Sequence, residues 1–428
     1  MAEITNDTFV NIDKLAASMR GELDSLPVLS SKCCIYAVPK RLHHLNEKAY
    51  TPQLVSIGPL HHGKPELRPM EEHKKRYLQD FLQRTNLSLV DRLKVIEKNE
   101  KKLRDCYAET IEFSSDEFIK MILVDAAFII EVLLRYHFKP MRKEKENDRV
   151  YNKPWAIQDI RKDMWLLENQ LPFFILEDLF DPARITLPSG QNQMLSITKL
   201  AYEFSKDLWD LEEMEEKSQT NKSPEVQHLV DFLWICHQPP QSRSMKKLKT
   251  LGIPSATELH QAGVEFKLGS SKNLFDIKFK NGILEIPRLE IVGATELLFR
   301  NLLAFEQCHC SKNYINDYVI IINHLVNTAK DVELLVKDGI VENWLWDDEG
   351  MSALFHSLVK ETFVMVDDFY FSGLVEELNA YCRKPCHKWQ ATLKQQYFNN
   401  PWSIISFIAA VILLVLTTIQ AVCSILSV

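Results

Sequence analysis

Asp116-Glu-Phe-Ile-Lys-Met-Ile-Leu-Val-Asp-Ala-Ala-Phe-Ile-Ile-Glu-Val-Leu-Leu-Arg-Tyr-His137 is the stretch on which the fold turns. Phe118, Ile122, Ile129, Val132 and Tyr136 recur at three- and four-residue intervals, the period of a helix with one apolar face. Asp125 falls in register on that face, so the pattern aims a carboxylate at the core. An unpaired buried carboxylate costs several kcal/mol, and Asp125 must therefore cap a helix, meet a base or hold a proton. Glu131 with Arg135 one turn later reads as an ordinary ion pair.

The same period extends in both directions along the chain. Residues 71–84, 90–110, 158–168, 196–211, 225–236, 295–308, 315–335 and 351–382 all carry it, which predicts a mainly α body. One β signal interrupts the series. Alternating runs in 276–287 flank Asn281-Gly282, the pair suited to a type I′ turn, and 263–267 reads as a third strand of the same small sheet. Ser255-Ala-Thr-Glu258 reads as a helix cap. The charged stretch 139–153 and the Pro-, Ser- and Lys-rich stretch 238–249 are exposed connections. They divide the expected body, 35–398, into candidate lobes 35–238 and 250–398, behind an amphipathic N-terminal segment at 1–34.

The chain ends without a charge from Gln395 to Val428. Residues 403–423 are long and apolar enough on sequence to predict a transmembrane helix carried by Trp402, Ile404, Ile405, Phe407, Ile408, Val411, Ile412, Leu413, Leu414, Val415, Leu416 and Ile419. Tyr397, Phe398 and Trp402 would form its interfacial belt. Arg383, Lys384, Lys388 and Lys394 precede the span and nothing charged follows it. The expectation is a single-pass tail anchor with a cytosolic body, at the plasma membrane or the endoplasmic reticulum. The sequons at Asn6, Asn86 and Asn221 matter only for the reverse orientation.

Composition excludes several function classes. The 428 residues carry a net charge of −7, with basic residues scattered among acidic ones, so nucleic acid is not an expected partner. Nine cysteines over this length do not make a disulfide scaffold. No phosphate-binding loop, Gly-x-Ser-x-Gly, His-Glu-x-x-His or kinase signature is present, and no cofactor is implied.

The polar candidates are few. Glu168-Asn169-Gln170 breaks an apolar run just before Pro172, where freed backbone groups need partners. Asp125, Asp163 and Glu168, with the His61-His62 loop, define one alternative, a metal or acid–base site; structural capping and loop locking is the other, and the one taken. Adjacent histidines diverge, which suits loop locking better than metal ligation. Cys308-His-Cys310 with Cys382, Cys386 and His387 has metal flavour, but the spacing fits no standard finger and no metal is expected. Cys382 and Cys386 read more simply as thiols close to the membrane.

Several quoted stretches together resemble a known family. Tyr50-Thr-Pro-Gln-Leu-Val-Ser-Ile-Gly-Pro-Leu-His-His-Gly-Lys-Pro-Glu-Leu67, Asp163-Met-Trp-Leu-Leu-Glu-Asn-Gln-Leu-Pro-Phe-Phe174, Ser255-Ala-Thr-Glu-Leu259, the 275–287 hairpin, Arg300-Asn-Leu-Leu-Ala-Phe-Glu-Gln-Cys308 and Asn399-Asn-Pro-Trp-Ser403 occur in order. They are similar to the plant-specific family called domain of unknown function 247, from about Ile35 to the expected anchor, essentially the whole chain. Leu60 stands where that family usually has an aromatic residue. The resemblance implies a plant protein with a C-terminal membrane helix, no established activity and no defined catalytic residues. Some members are implicated in grass self-incompatibility as recognition determinants. The function expected is an anchored interaction or recognition protein with a protein partner; the alternative is an enzyme using the carboxylates and histidines above.

Overall fold

The computed structural model of the chain describes residues 11–24, 30–143, 148–185, 195–206, 225–239, 247–249, 252–344, 347–360, 362–384 and 401–426. Helices dominate the first half: α1 (Ile12–Asp24), α2 (Lys40–His43), α3 (Arg68–Thr85), α4 (Leu89–Arg104), α5 (Ser115–His137), α6 (Pro154–Met164), α7 (Phe173–Leu179), α8 (Ile197–Ser205) and α9 (Leu229–Cys236). Helix α5 is their hub, packed on by α3, α4, α7 and α8. Its start is fixed by a capping box: Ser114 Oγ accepts the Glu117 N–H at 3.3 Å and Glu117 Oε2 accepts the Ser114 N–H at 3.2 Å. The apolar stripe read from sequence understates its burial. All but two residues from Phe118 to Arg135 are buried, so Asp125, Glu131 and Arg135 have no solvent to turn to.

The second half mixes α10 (Ala256–Gln261), α11 (Thr295–His309), α12 (Tyr314–Leu325), α13 (Ala329–Lys337), α14 (Asp348–Leu358) and α15 (Ser372–Cys382) with two small sheets. Strands β1 (Glu265–Leu268), β2 (Lys278–Lys280) and β3 (Ile283–Ile286) form one sheet in the order β1-β3-β2. The hairpin is the expected one. Asn281 and Gly282 both have positive φ, 54° and 80°, as a type I′ turn requires. A Cβ on Gly282 would lie 2.7 Å from the Tyr381 hydroxyl on α15, so the turn and the helix packing both call for glycine. The 263–267 run supplies β1, which pairs parallel with β3, Glu265 opposite Ile283. The second sheet was not expected: β4 (Leu289–Ile291) pairs parallel with β5 (Val341–Asn343).

Two expected helices are each divided. In 315–335 the break falls at Thr328, whose side chain takes the Asp331 N–H at 3.4 Å while Asp331 Oδ2 takes the Thr328 N–H at 2.9 Å, starting α13 afresh. In 351–382 the helix stops after Leu358 and restarts at Ser372, and between them Asp317 Oδ2 accepts the Tyr370 N–H at 2.7 Å. One apolar core extends from Cys34 to Leu378 through both halves. Residues 144–147 and 240–246, within the two connections proposed as lobe boundaries, lie outside the described residues.

The largest correction concerns the C-terminus. Helix α16 (Pro401–Leu426) has exposed side chains wherever they are described. Among the described residues, however, no helix is long and apolar enough to cross a membrane. The transmembrane span assigned to Ile405, Ile408, Val411, Ile412, Leu413, Leu414, Val415, Leu416 and Ile419 is therefore not supported, nor is the single-pass, tail-anchored localisation built on it. The side chains of Trp402, Ile404 and Phe407, and all of Tyr397 and Phe398, lie outside the described residues.

Candidate functional site

Gln53 to Gly58 is an irregular segment, buried from Val55 onward, that joins no ladder among the described residues, so its peptide groups need other partners. Buried side chains supply them. Asp163, at the end of α6, accepts the Gln53 N–H at 2.8 Å through Oδ1 and the N–H groups of Leu54 and Val55 at 2.7 and 2.8 Å through Oδ2. Asn169 accepts the Ile57 N–H at 2.7 Å and donates to the Val55 and Asp163 carbonyls at 3.0 and 2.9 Å. Asp125 Oδ2 accepts the Gly58 N–H at 2.8 Å. From α3, Lys74 Nζ donates to the Ser56 carbonyl at 2.8 Å.

Lys74 is also the base that Asp125 requires. Its ammonium lies 2.5 Å from Asp125 Oδ1 and 2.5 Å from Glu71 Oε1, and neither Lys74 nor Asp125 reaches solvent. Burial pushes the Asp125 carboxyl up, opposed by the Lys74 charge, while the two carboxylates raise Lys74 against its own burial. Gly58 closes the knot. Its φ is +72°, and a Cβ there would stand 2.5 Å from the Gln170 carbonyl oxygen, which also accepts the Tyr107 hydroxyl at 3.0 Å.

The other candidates join the same framework. Glu168 accepts the Val38 N–H at 2.7 Å through Oε1 and has Oε2 3.0 Å from His61 Nε2; despite burial, these two partners hold its carboxyl below the usual range. Gln170 donates to the carbonyls of Met164 and Leu166, both at 2.8 Å, and of Asn169 at 3.0 Å. His62 diverges from His61 and lies edge-on to Phe113, ring centroids 5.6 Å apart. Asp125, Asp163 and Glu168 thus serve different backbone N–H groups, those of Gly58, of Gln53 to Val55 and of Val38. Among the described residues, no three His, Cys, Asp or Glu side chains gather as metal ligands. Cys386 and His387 lie outside the described residues.

Further buried charges extend beyond the expected Glu131–Arg135 pair. Arg135 reaches Asp80, Asp148 and Glu131 at 2.6, 2.8 and 3.1 Å and lies 4.0 Å over the Tyr77 ring; Arg84 adds a 2.9 Å contact to Glu131. The Glu131–Arg135 pair is thus one edge of a buried ionic network. His228 Nδ1 accepts the Asp231 N–H at 3.1 Å, leaving the proton on Nε2, 3.0 Å from the Cys34 carbonyl. Burial lowers that imidazole to about 3.

Glu306, inside α11, caps α12 by accepting the Ile315 and Asn316 N–H groups at 2.8 and 2.9 Å, and also takes the Trp234 indole N–H at 2.8 Å. Burial raises its carboxyl to about 7. The folded chain therefore keeps this proton up to a higher pH than the unfolded chain, whose glutamates titrate near ~4.3. Its contribution to stability is full below pH ~4.3 and declines, by roughly 3 kcal/mol, as pH rises to about 7. Replacing Glu306 with Gln should remove that share of the slope. Comparing denaturant midpoints at pH 5 and pH 7.5 for both proteins checks it; parallel slopes would refute the assignment.

A cavity of about 350 Å³ lies apart from these residues, between the end of α9 (Cys236, His237), the 268–274 turn, Arg288 to Glu290, and Phe299. None of the sequence-read candidates lines it.

The DUF247 family model, described as a plant protein of unknown function, matches residues 35–416. The chain belongs to this family. This DUF247 chain is 31% identical to the UPF0481 protein At3g47200 of Arabidopsis thaliana, over 92% of its own length and 87% of the relative's. It is 24% identical to the putative UPF0481 protein At3g02645 of the same plant, over 96% and 93%. No solved structure matches the DUF247 chain at a significant level.

Proposed function

We propose that this protein is a recognition module that binds a protein partner through the loop at 362–368. The observation carrying the reading is an apolar loop that is firmly held yet faces outward. Phe363, Val364 and Met365 are 44, 36 and 48% exposed, in three consecutive positions. Their backbone is not free to fold them away. Asn316 Nδ2 donates to the Phe363 carbonyl at 2.9 Å, and Leu248 N–H to the Val366 carbonyl at 2.9 Å. Lys312 and Lys247 pair with Asp368 and Asp367, each at 2.9 Å.

A preorganised apolar loop with a charged rim has the layout of a binding hot spot, because little conformational entropy remains to be lost on docking. The partner surface it suits is an apolar groove edged by polar groups. The alternative of chemistry at the buried carboxylates draws no comparable support, since their oxygens are engaged with backbone N–H groups and with Lys74 and His61.

The test is proximity labelling in plant cells with the native chain, a Phe363→Asp/Met365→Asp variant and a control, Lys94→Asp, on the exposed side of α4. The loop variant should lose a defined set of neighbours that the control keeps, reflecting a loss of affinity of at least about 30-fold, roughly 2 kcal/mol. Its thermal midpoint should stay close to that of the native chain. Identical neighbours for all three proteins would sink the proposal.

A further inference from the structure

Two thiols that the proposed function does not use are set side by side by a short backbone pairing. The N–H groups of Cys34 and Ile35 both donate to the Cys106 carbonyl at 2.9 Å, and Ala108 N–H donates to the Ile35 carbonyl at 2.9 Å. Ile35 and Tyr107 form a parallel bridge, so Cys34 and Cys106 precede it at matching positions on the two segments. Neighbouring strands lie ~4.8 Å apart, within the Cα spacing of roughly 4.4–6.8 Å that a disulfide spans. Each thiol influences the other's proton affinity, both are buried, and both are free.

We infer that Cys34 and Cys106 are an oxidative modification site that closes to a reversible disulfide under hydrogen peroxide. Cys106 is the attacking sulfur. As a thiol it donates to the Lys102 carbonyl at 3.2 Å; as a thiolate it accepts from Cys34, and that bond holds it below the ordinary thiol range against the opposing effect of burial. The neighbouring thiols move the other way: burial raises Cys33, and raises Cys308 to about 11. The contact with the Lys102 carbonyl and the proximity of Cys34 set Cys106 apart from the other thiols.

The Cys106 thiolate attacks one peroxide oxygen, the O–O bond breaks, and hydroxide leaves, giving a sulfenic acid on Cys106. Cys34 then attacks that sulfur, forming the S–S bond; the S–O bond breaks, and the departing hydroxide takes the Cys34 proton to become water. Two electrons pass from the thiols to the peroxide. In sum, two thiols and one peroxide become one disulfide and two waters. The link ties the segment that carries Val38 N–H to Glu168, and the Cys34 carbonyl to His228, onto the end of α4. Closing so long a loop should raise the thermal midpoint by several degrees, and reductant should reverse the rise.

The experiment uses the full-length protein, reduced, treated with stoichiometric hydrogen peroxide, alkylated and mapped by mass spectrometry. The expected product is a peptide pair joined between the Cys33-Cys34 peptide and the Cys106 peptide, lighter by two hydrogens and separated by dithiothreitol. The pair should persist in Cys33→Ser and vanish in Cys34→Ser, where Cys106 should instead take up dimedone as a sulfenic acid. A link that persists in Cys34→Ser, a link from Cys33 to Cys308, or Cys106 oxidised to the sulfinic acid with no link would each overturn the assignment. The native protein's own peptide map decides the last two outcomes, so the test survives a variant that fails to fold.

Discussion

Replacing Asp125 with alanine should destabilise the protein by about 3–5 kcal/mol, because it strands the Lys74 ammonium in the interior and removes the acceptor of the Gly58 N–H. Glu71 stays 2.5 Å from Lys74 but is partly exposed, so it compensates only in part. The charge on Lys74 is the source of most of the loss. Changing both partners together, Asp125→Leu with Lys74→Met, should therefore recover much of it, since a buried pair removed whole leaves no uncompensated charge. Urea unfolding of the two single variants and the double variant gives the coupling directly. Additive losses would mean that the two side chains do not act as a pair.

The second large effect is expected at Asp163. Alanine there leaves the N–H groups of Gln53, Leu54 and Val55 without an acceptor, at about 1–3 kcal/mol for each group that water cannot reach. A total of about 3–5 kcal/mol is expected, with Asp163→Asn in between, because an amide keeps one acceptor oxygen and turns an N–H₂ toward a donor. The same urea experiment reads it. A loss below about 1 kcal/mol for the alanine variant would show that this segment is held by packing instead.

Much of this framework was legible in the sequence because helical period assigns a residue to a face from spacing alone. Asp125 was found in that way. Lys74 was equally accessible: Met70, Lys74, Tyr77 and Phe81 all lie on the buried face of α3 at three- and four-residue spacing. The base that Asp125 demands was therefore present in the pattern of a second helix. Glu306 was hidden within the apolar face of α11 for the same reason. The hairpin was readable from Asn281-Gly282, whose positive φ values are a local demand.

What escaped depends on distant partners. Strands β4 and β5 have three residues each and pair across about fifty positions, too short for alternation to register. The divided helices kept their period across both breaks, and only the Thr328 cap and the Asp317 contact show where they stop. Asp163 and Glu168 stood out as residue types, but backbone groups more than 100 positions away decide what they do. At the C-terminus, hydropathy alone overreached what the described residues support.

The irregular 53–58 segment imposes an order of events on the folding chain. Its partners come from α3, α5, the end of α6 and the turn after it, at separations from 18 to 114 residues, and none of them is a neighbouring strand that could zip up locally. The segment cannot acquire its hydrogen bonds until those helices have docked, and the helices leave polar groups buried and unmet until it arrives. A chain with a single misplaced helix is thus penalised at several points at once. The segment works as a checkpoint on assembly, and the amide protons of Leu54, Val55, Ile57 and Gly58 should be among the last to exchange, opening only when the whole body does.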